Sequence, residues 1–268
     1  MNDTRTLRAL VTGATGGMGR LTCHELLKDA QRRGLKLRIA AADVKPGGAL
    51  DALVAELQAA GAEASAHVAD FSDPAACARL GTEAVTACGG LDTLFSIAGL
   101  TRSGTLSTLD VADWELVFNI DVRATWLLAR AVRPALAQSR GSIVAVASVS
   151  ALFPFPGLGA YSPAKAALVM LCRQLAQEWA EDGIRVNTVS PGLIRTPLSE
   201  SIYSNADLMQ RREEMVPLHR IGTAEDVARA LVYLAGPDSS YMTGIDLRLD
   251  GGLCDGVLGA IPGLPTNK

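Results

Sequence analysis

"VTGATGGMGR", residues 11–20, decides how this chain folds. It closes the apolar run LRALVTG (7–13) and opens a helix-forming stretch. Glycines in that position permit a tight turn and let the backbone approach a diphosphate closely. The helix that starts there offers free N–H groups and a dipole that favours an anion. The spacing is not GxGxxG, but the mechanics are the same. Many glycine turns only end a strand. Here strand, turn and helix follow in order, and that context favours a dinucleotide site.

Working outward, the apolar runs repeat. After 7–13 come LRIAAAD (37–43), ASAHVAD (64–70), LDTLFSIAG (91–99), GSIVAVAS (141–148), IRVNTVSPG (184–192) and IDLRLDGG (245–252). Most are apolar on both faces, as strands covered by helices on both sides must be. Amphipathic stretches lie between them, among them LDALVAELQAAG (50–61) and EDVARALVYLAG (225–236). The alternation predicts an α/β fold of Rossmann type: a doubly wound parallel sheet of about seven strands with helices on both faces. Residues 1–268 read as a single domain, with a substrate loop or lid at about 195–220. No linker and no solenoid repeat interrupts it. The glycine-rich tail 251–268 is expected to be irregular.

Bulk properties narrow the function classes. The chain has 268 residues, 49% hydrophobic, and a net charge of −3 with acids and bases interspersed. Without a Lys/Arg block it offers no nucleic-acid surface. No apolar run is long enough to span a membrane, and the N-terminus lacks a signal-peptide pattern, so a cytoplasmic protein is expected. Five cysteines without a CxxC read as buried free thiols in a reducing compartment. The three histidines are not spaced for metal binding, and no metal is expected.

Asp43 ends the second strand, 24 residues after Gly19, slightly more than the roughly 20 usual for a ribose-binding acid. The extra residues fall around DAQRRGLK (29–36). A carboxylate at Asp43 accepts both ribose hydroxyls and repels a 2′-phosphate. Gly16 and Val44 supply no basic clamp, and Lys45 is read as solvent-facing, so NAD is favoured over NADP. Asp70 ends the third strand, where an adenine contact and a turn carboxylate compete. Further on, "YSPAK" (161–165) places Tyr161 and Lys165 on one helical face. A nearby ammonium favours the phenolate of a tyrosine and makes it a usable acid/base. Ser148, 13 residues before Tyr161, closes the fifth strand and can hold a substrate oxygen beside the phenol.

Taken in order, TGATGGMG (12–19), Asp70, SIAG (96–99), Asn119, Ser148, YSPAK (161–165), SPGLIRTP (190–197) and LDGG (249–252) resemble the short-chain dehydrogenase/reductase family over nearly the whole chain. The resemblance implies Tyr161 as acid/base, Lys165 on the nicotinamide ribose, and Ser148 orienting the carbonyl or hydroxyl. It implies that Asn119, in FNIDV, holds a water linking Lys165 to solvent. The implied cofactor set is Gly13, Thr15, Gly17, Met18, Gly19, Asp43, Asp70, Phe71, Ala98, Gly99, Tyr161, Lys165, Pro191, Gly192, Ile194 and Thr196. Ile194 and Thr196 lie near the carboxamide in this reading. Two features depart from the family pattern. Ser96 and Ile97 stand where two asparagines usually brace the sheet; serine replaces part of that brace and isoleucine none of it. Gly16 also makes the turn fit TGxxGxxG, the spacing of the longer sugar-nucleotide epimerase branch. Chain length, SPG and LDGG argue against that branch.

The expected substrate contacts are Ser148, Ser150, Phe153, Phe155, Tyr161 and Leu198, in a pocket beyond the C-terminal ends of the strands. Apolar walls suit a hydrophobic secondary alcohol or ketone, although core or subunit packing competes for Phe153 and Phe155. Family resemblance implies a homotetramer, and the apolar surface of helix 166–182 is one face for it. The leading expectation is an NAD-dependent alcohol dehydrogenase, with oxidation the favoured direction. The alternatives are an NADP-dependent 3-oxoacyl (acyl-carrier) reductase and a non-catalytic nucleotide sensor. In the resemblance, an enoyl reductase would space its tyrosine and lysine further apart.

Overall fold

The computed structural model describes residues 5–197 and 199–260. β1 (Thr6–Thr12) leads to α1 (Gly17–Arg32), β2 (Lys36–Asp43) to α2 (Ala49–Ala59), and β3 (Glu63–Val68) to α3 (Pro74–Cys88). β4 (Thr93–Ser96) precedes one long interrupted helix: α4 (Val111–Phe118), a π-turn (Asn119–Arg123) and α5 (Ala124–Ser139). Then come β5 (Ser142–Val146), α6 (Tyr161–Glu178) and β6 (Arg185–Pro191). The remainder holds β7 (Ile194–Arg195), α7 (Glu200–Tyr203), α8 (Ala206–Met215), β8 (Gly222–Thr223), α9 (Ala224–Ala235) and β9 (Asp246–Leu249). Among the described residues no helix is long and apolar enough to cross a membrane.

All seven expected strands form one parallel sheet, in the order β3-β2-β1-β4-β5-β6-β9. The α/β doubly wound fold read from the sequence is therefore present. Successive residues of each strand face opposite helical layers. Leu10 packs with buried residues of α3, α5 and α6, while its neighbours Ala9 and Val11 pack with those of α1, α2 and α9. This is why β4 and β5 are buried at every position. Each fully buried Leu or Ile side chain contributes about 1.5–3 kcal/mol. β3, at the sheet edge, leaves Val68 exposed.

The strand order reverses between β1 and β4, so the loops after these strands diverge and leave a crevice at their C-terminal ends. The segment expected as a lid is organised at its base. β7 pairs with β8, Ile194 to Gly222 and Arg195 to Thr223, which fastens the two ends of that segment together. The residues around 29–36 complete α1 and turn the chain at Gly34; Arg32 and Arg33 both pair with Asp29. The described part of the tail departs from the irregular structure expected of it, and residues 261–268 lie outside the described residues. Leu253–Ala260 forms a 3₁₀ helix, started by the Asp250 carboxylate, which accepts from the amides of Gly252 and Cys254 at 2.9 and 3.0 Å.

Candidate active site

α1 begins without a side-chain cap: Gly16 is its N-cap and no side chain accepts from the first turn. Its free N–H groups face a cleft of about 610 Å³ lined by Gly13, Thr15, Gly16, Gly17, Met18 and Gly19. Gly13 is required by geometry: its φ is +65°, and a Cβ there would lie 3.0 Å from the Ala98 backbone. At Gly19 a Cβ would overlap the Gly13 carbonyl, so the turn can close over the helix only with glycine there. These features fit a dinucleotide diphosphate: an uncapped helix end, small residues and open space.

Asp43, Val44, Asp70 and Phe71 line the far end of the same cleft. The Asp43 carboxylate is already oriented. Its Oδ2 accepts from the Thr15 amide and hydroxyl at 2.9 and 2.7 Å, and its Oδ1 accepts from the Val44 amide at 2.7 Å. Asp70 is exposed and accepts from the Ser72 hydroxyl and amide, at 2.7 and 2.8 Å. Those two bonds, the hydroxyl first, hold its carboxyl below the usual aspartate range.

A smaller cleft of about 180 Å³ adjoins the first, and Met18, Ile97, Gly99, Leu100 and Thr196 line both. Its other walls include Ser148, Tyr161, Lys165, Pro191, Gly192 and Ile194. Every residue of the expected cofactor set thus lines one cleft or the other. Ser148 lies two residues beyond β5, where it caps a short 3₁₀ turn, and accepts from the Ser150 amide at 3.1 Å, which orients its hydroxyl. Tyr161 opens α6, and the Lys165 Nζ lies 5.5 Å from its ring centroid.

Lys165 is buried and donates to the Val146 carbonyl at 2.9 Å. Its Nζ also lies 3.1 Å from Asp121 Oδ2. Burial depresses the ammonium, but the Asp121 carboxylate and then Tyr161 outweigh it and raise the amine above its ordinary value. Asp121 was not singled out from the sequence. Both Asn119 and Asp121 lie on the π-turn that interrupts the long helix. The signal was present in FNIDV, where an acid adjoins the expected relay asparagine.

Other expected residues lie apart from the cleft walls. Asn119 is half-buried on the π-turn. Ser150 is buried behind Ser148. Phe153 and Phe155, on the loop before α6, are 45% and 55% exposed. That loop is fastened to the loop after β4 by hydrogen bonds of Gly104 with Gly157 and Gly159. Leu198 lies outside the described residues. Where paired asparagines would brace the sheet, Ser96 Oγ meets Thr125 Oγ1 at 2.8 Å. The Thr12 hydroxyl accepts from the Ile97 and Ala98 amides at 3.1 and 3.2 Å, so this chain supplies its own brace.

The comparisons with known proteins agree with this geometry. A family model described as "Enoyl-(Acyl carrier protein) reductase" matches residues 13–254. The 3-oxoacyl-[acyl-carrier-protein] reductase FabG of Thermotoga maritima is 33% identical over 91% of this chain and 96% of its own length. Oxidoreductase UcpA of Escherichia coli O157:H7 is 36% identical over 91% and 93%. Among solved structures, a putative short-chain alcohol dehydrogenase from Sinorhizobium meliloti superposes with a TM-score of 0.86 at 29% identity, covering 94% of this chain and 98% of that one. Fold, cleft and likeness over more than nine-tenths of the length of these relatives agree, and the chain belongs to the short-chain dehydrogenase/reductase family of oxidoreductases.

Proposed function

We propose that the chain is an NAD-dependent dehydrogenase or ketoreductase that interconverts a hydrophobic secondary alcohol and its ketone. The observation that carries this reading is the juxtaposition of Ser148, Tyr161 and Lys165 in one small cleft continuous with the glycine-turn cleft. A bound nicotinamide supplies the hydride donor or acceptor. Ser148 holds the substrate oxygen, and Tyr161 gives or takes its proton. Lys165 orients the ribose and supports the tyrosine's charge change, and Asn119 connects the lysine to solvent. NAD is favoured because Asp43 ends β2 facing the cleft with no basic residue at Gly16 or Val44. The proposal extends to a homotetramer: Trp126 on α5 and Met170 on α6 are 42% and 59% exposed, apolar surface of the kind subunit contacts cover.

A second reading is an NADP-dependent 3-oxoacyl reductase, favoured by the likeness to the Thermotoga enzyme. One experiment separates the two. Nicotinamide absorbance is followed with cyclic, aryl and aliphatic secondary alcohols, their ketones and a 3-oxoacyl thioester, each with NAD and NADP, beside Tyr161→Phe. The first reading expects turnover of an alcohol or ketone with NAD, reduced on the order of 10²–10⁴-fold in the variant while NAD binding is kept. Turnover confined to the thioester with NADP replaces it with the second. Full turnover in Tyr161→Phe ends both.

A further inference from the structure

Asp121 is 1% exposed, the most deeply buried acidic residue of the described chain. Its Oδ1 accepts from the Leu100 amide at 2.9 Å, on the loop that follows β4 and lines both clefts. Its Oδ2 accepts no hydrogen bond from the protein and lies 3.1 Å from Lys165 Nζ. Gly99 closes the enclosure: a Cβ there would sit 3.2 Å from the amine and 3.3 Å from the carboxylate. The ammonium therefore donates to Val146 and forms an ion pair with Asp121.

The titratable groups acting on Lys165 are Asp121 from the π-turn, and Tyr161 and Cys172 from α6 itself. β5 and the loop after β4 present backbone to it. Cys172 is a neutral thiol, since burial pushes it up to about 12. With Tyr161 as phenol, ammonium and carboxylate cancel. With Tyr161 as phenolate at the cleft wall, the three groups carry a net negative charge, and the buried Asp121 disfavours it because Lys165 can compensate only one of the two anions. Without Asp121, phenolate and ammonium would themselves form the neutral pair.

We propose that Asp121 is a positioning residue that pins Lys165 between the π-turn and β5 and offsets its charge. Tyr161 then rests as a phenol, and the site is set to deliver a proton to a carbonyl oxygen rather than take one from an alcohol. This rests on the oxidoreductase reading above and assigns its resting direction. In that direction the phenol O–H bond breaks and its proton bonds to the substrate oxygen. The carbonyl carbon accepts hydride from the reduced nicotinamide, and solvent returns a proton to the phenolate.

The test needs no substrate. Tyrosinate absorbance of the protein is titrated against that of its Tyr161→Phe counterpart, so that Tyr203, Tyr233 and Tyr241 cancel. In the native background the difference is expected to show no phenolate at neutral pH; phenolate already present there overturns the proposal whatever the variants do. In the Asp121→Asn background the Tyr161 phenolate fraction at about pH 8 is expected to rise on the order of tenfold. Superimposable titrations in a folded Asp121→Asn protein overturn the proposal, since a merely structural role for Asp121 leaves them unmoved. Asp121→Ser, smaller and also uncharged, takes its place if the asparagine variant does not fold. A protein inactive on every alcohol and ketone but with the shifted titration would fail the dehydrogenase reading and keep the charge offset.

Discussion

Arg185 joins three parts of the molecule through one side chain. Its Nη1 donates to the carbonyls of Leu234, Ser239 and Met242, and its Nη2 to those of Ala235 and Gly236. These carbonyls cluster at the C-terminal end of α9, where the helix dipole favours a cation. Arg185→Met strips their common donor and is expected to cost about 2–4 kcal/mol in urea unfolding. Nucleotide affinity should be unchanged, because Arg185 starts β6 and the cleft lies at the other end of the strands. Arg185→Lys should recover only part of the loss, since an ammonium cannot fork between two sets of carbonyls. At this scale the sequence was readable where spacing alone carries chemistry. Tyr161 and Lys165 share a face at any α-helical phase, and Asp43 follows from its place at a strand end. Asp121 was not readable, because its position depends on a π-turn that shifts the phase after Asn119. The roles of Thr12 and Thr125 were hidden for a related reason: each meets its partner across elements distant in sequence.

Among the elements, α9 shows how a short polar sequence fixes a boundary. Thr223 and Asp226 form a reciprocal capping box, and Arg220 reaches the same carboxylate at 2.7 Å. The Arg220 hydrogen bond, against some burial and with help from Thr223, holds Asp226 at about 2, below its ordinary 3.8. The folded carboxyl is thus the stronger acid. Its stabilisation is fully present above about pH 4 and is lost as pH falls toward about 2. Asp226→Asn is therefore expected to lower the urea midpoint at neutral pH, with the gap to native protein closing across that acidic window. Equal gaps at neutral pH and near pH 2 would assign the effect to the cap's shape instead of its charge. β4 and β5 were legible because strands buried on both faces read as near-continuous apolar runs, and the other strands because apolar runs recur between helix-forming stretches. β7 and β8 were not: two residues each carry no periodicity, and they pair across a segment of more than 20 residues.

For the molecule as a whole, the sheet separates two apolar layers, and the thiols report on that burial. Cys23, Cys77, Cys88 and Cys172 are buried and Cys254 is half-buried, all free, as the cysteine spacing led one to expect. Burial pushes Cys23 and Cys172 up to about 12, and Cys77, Cys88 and Cys254 up to about 11. An aromatic disulfide reagent at about pH 8 is expected to modify at most Cys254 in the folded protein, and all five thiols in denaturant. Rapid reaction of two or more thiols in the folded state would contradict the packing of α3 and α6. The layer arrangement was legible from strand–helix alternation. The position of the exposed Phe153 and Phe155 was not, because an apolar residue on a loop between two elements has no periodicity to assign it a side.

The order in which the sheet is assembled has a consequence for the chain as it leaves the ribosome. β1 to β5 are contiguous in the sheet and are all encoded before residue 147, so the glycine turn, Asp43 and the floor beneath them can form on a nascent chain. β9 joins the sheet only through β6, and Arg185 finds its carbonyls only when the residues after 233 have emerged. Translation thus builds the nucleotide half first and leaves the outer edge open until almost the last strand is made. An arrest after β6 has emerged but before β9 is made would hold a chain with the outer side of β6 unpaired, a template for pairing with its neighbours on the same message.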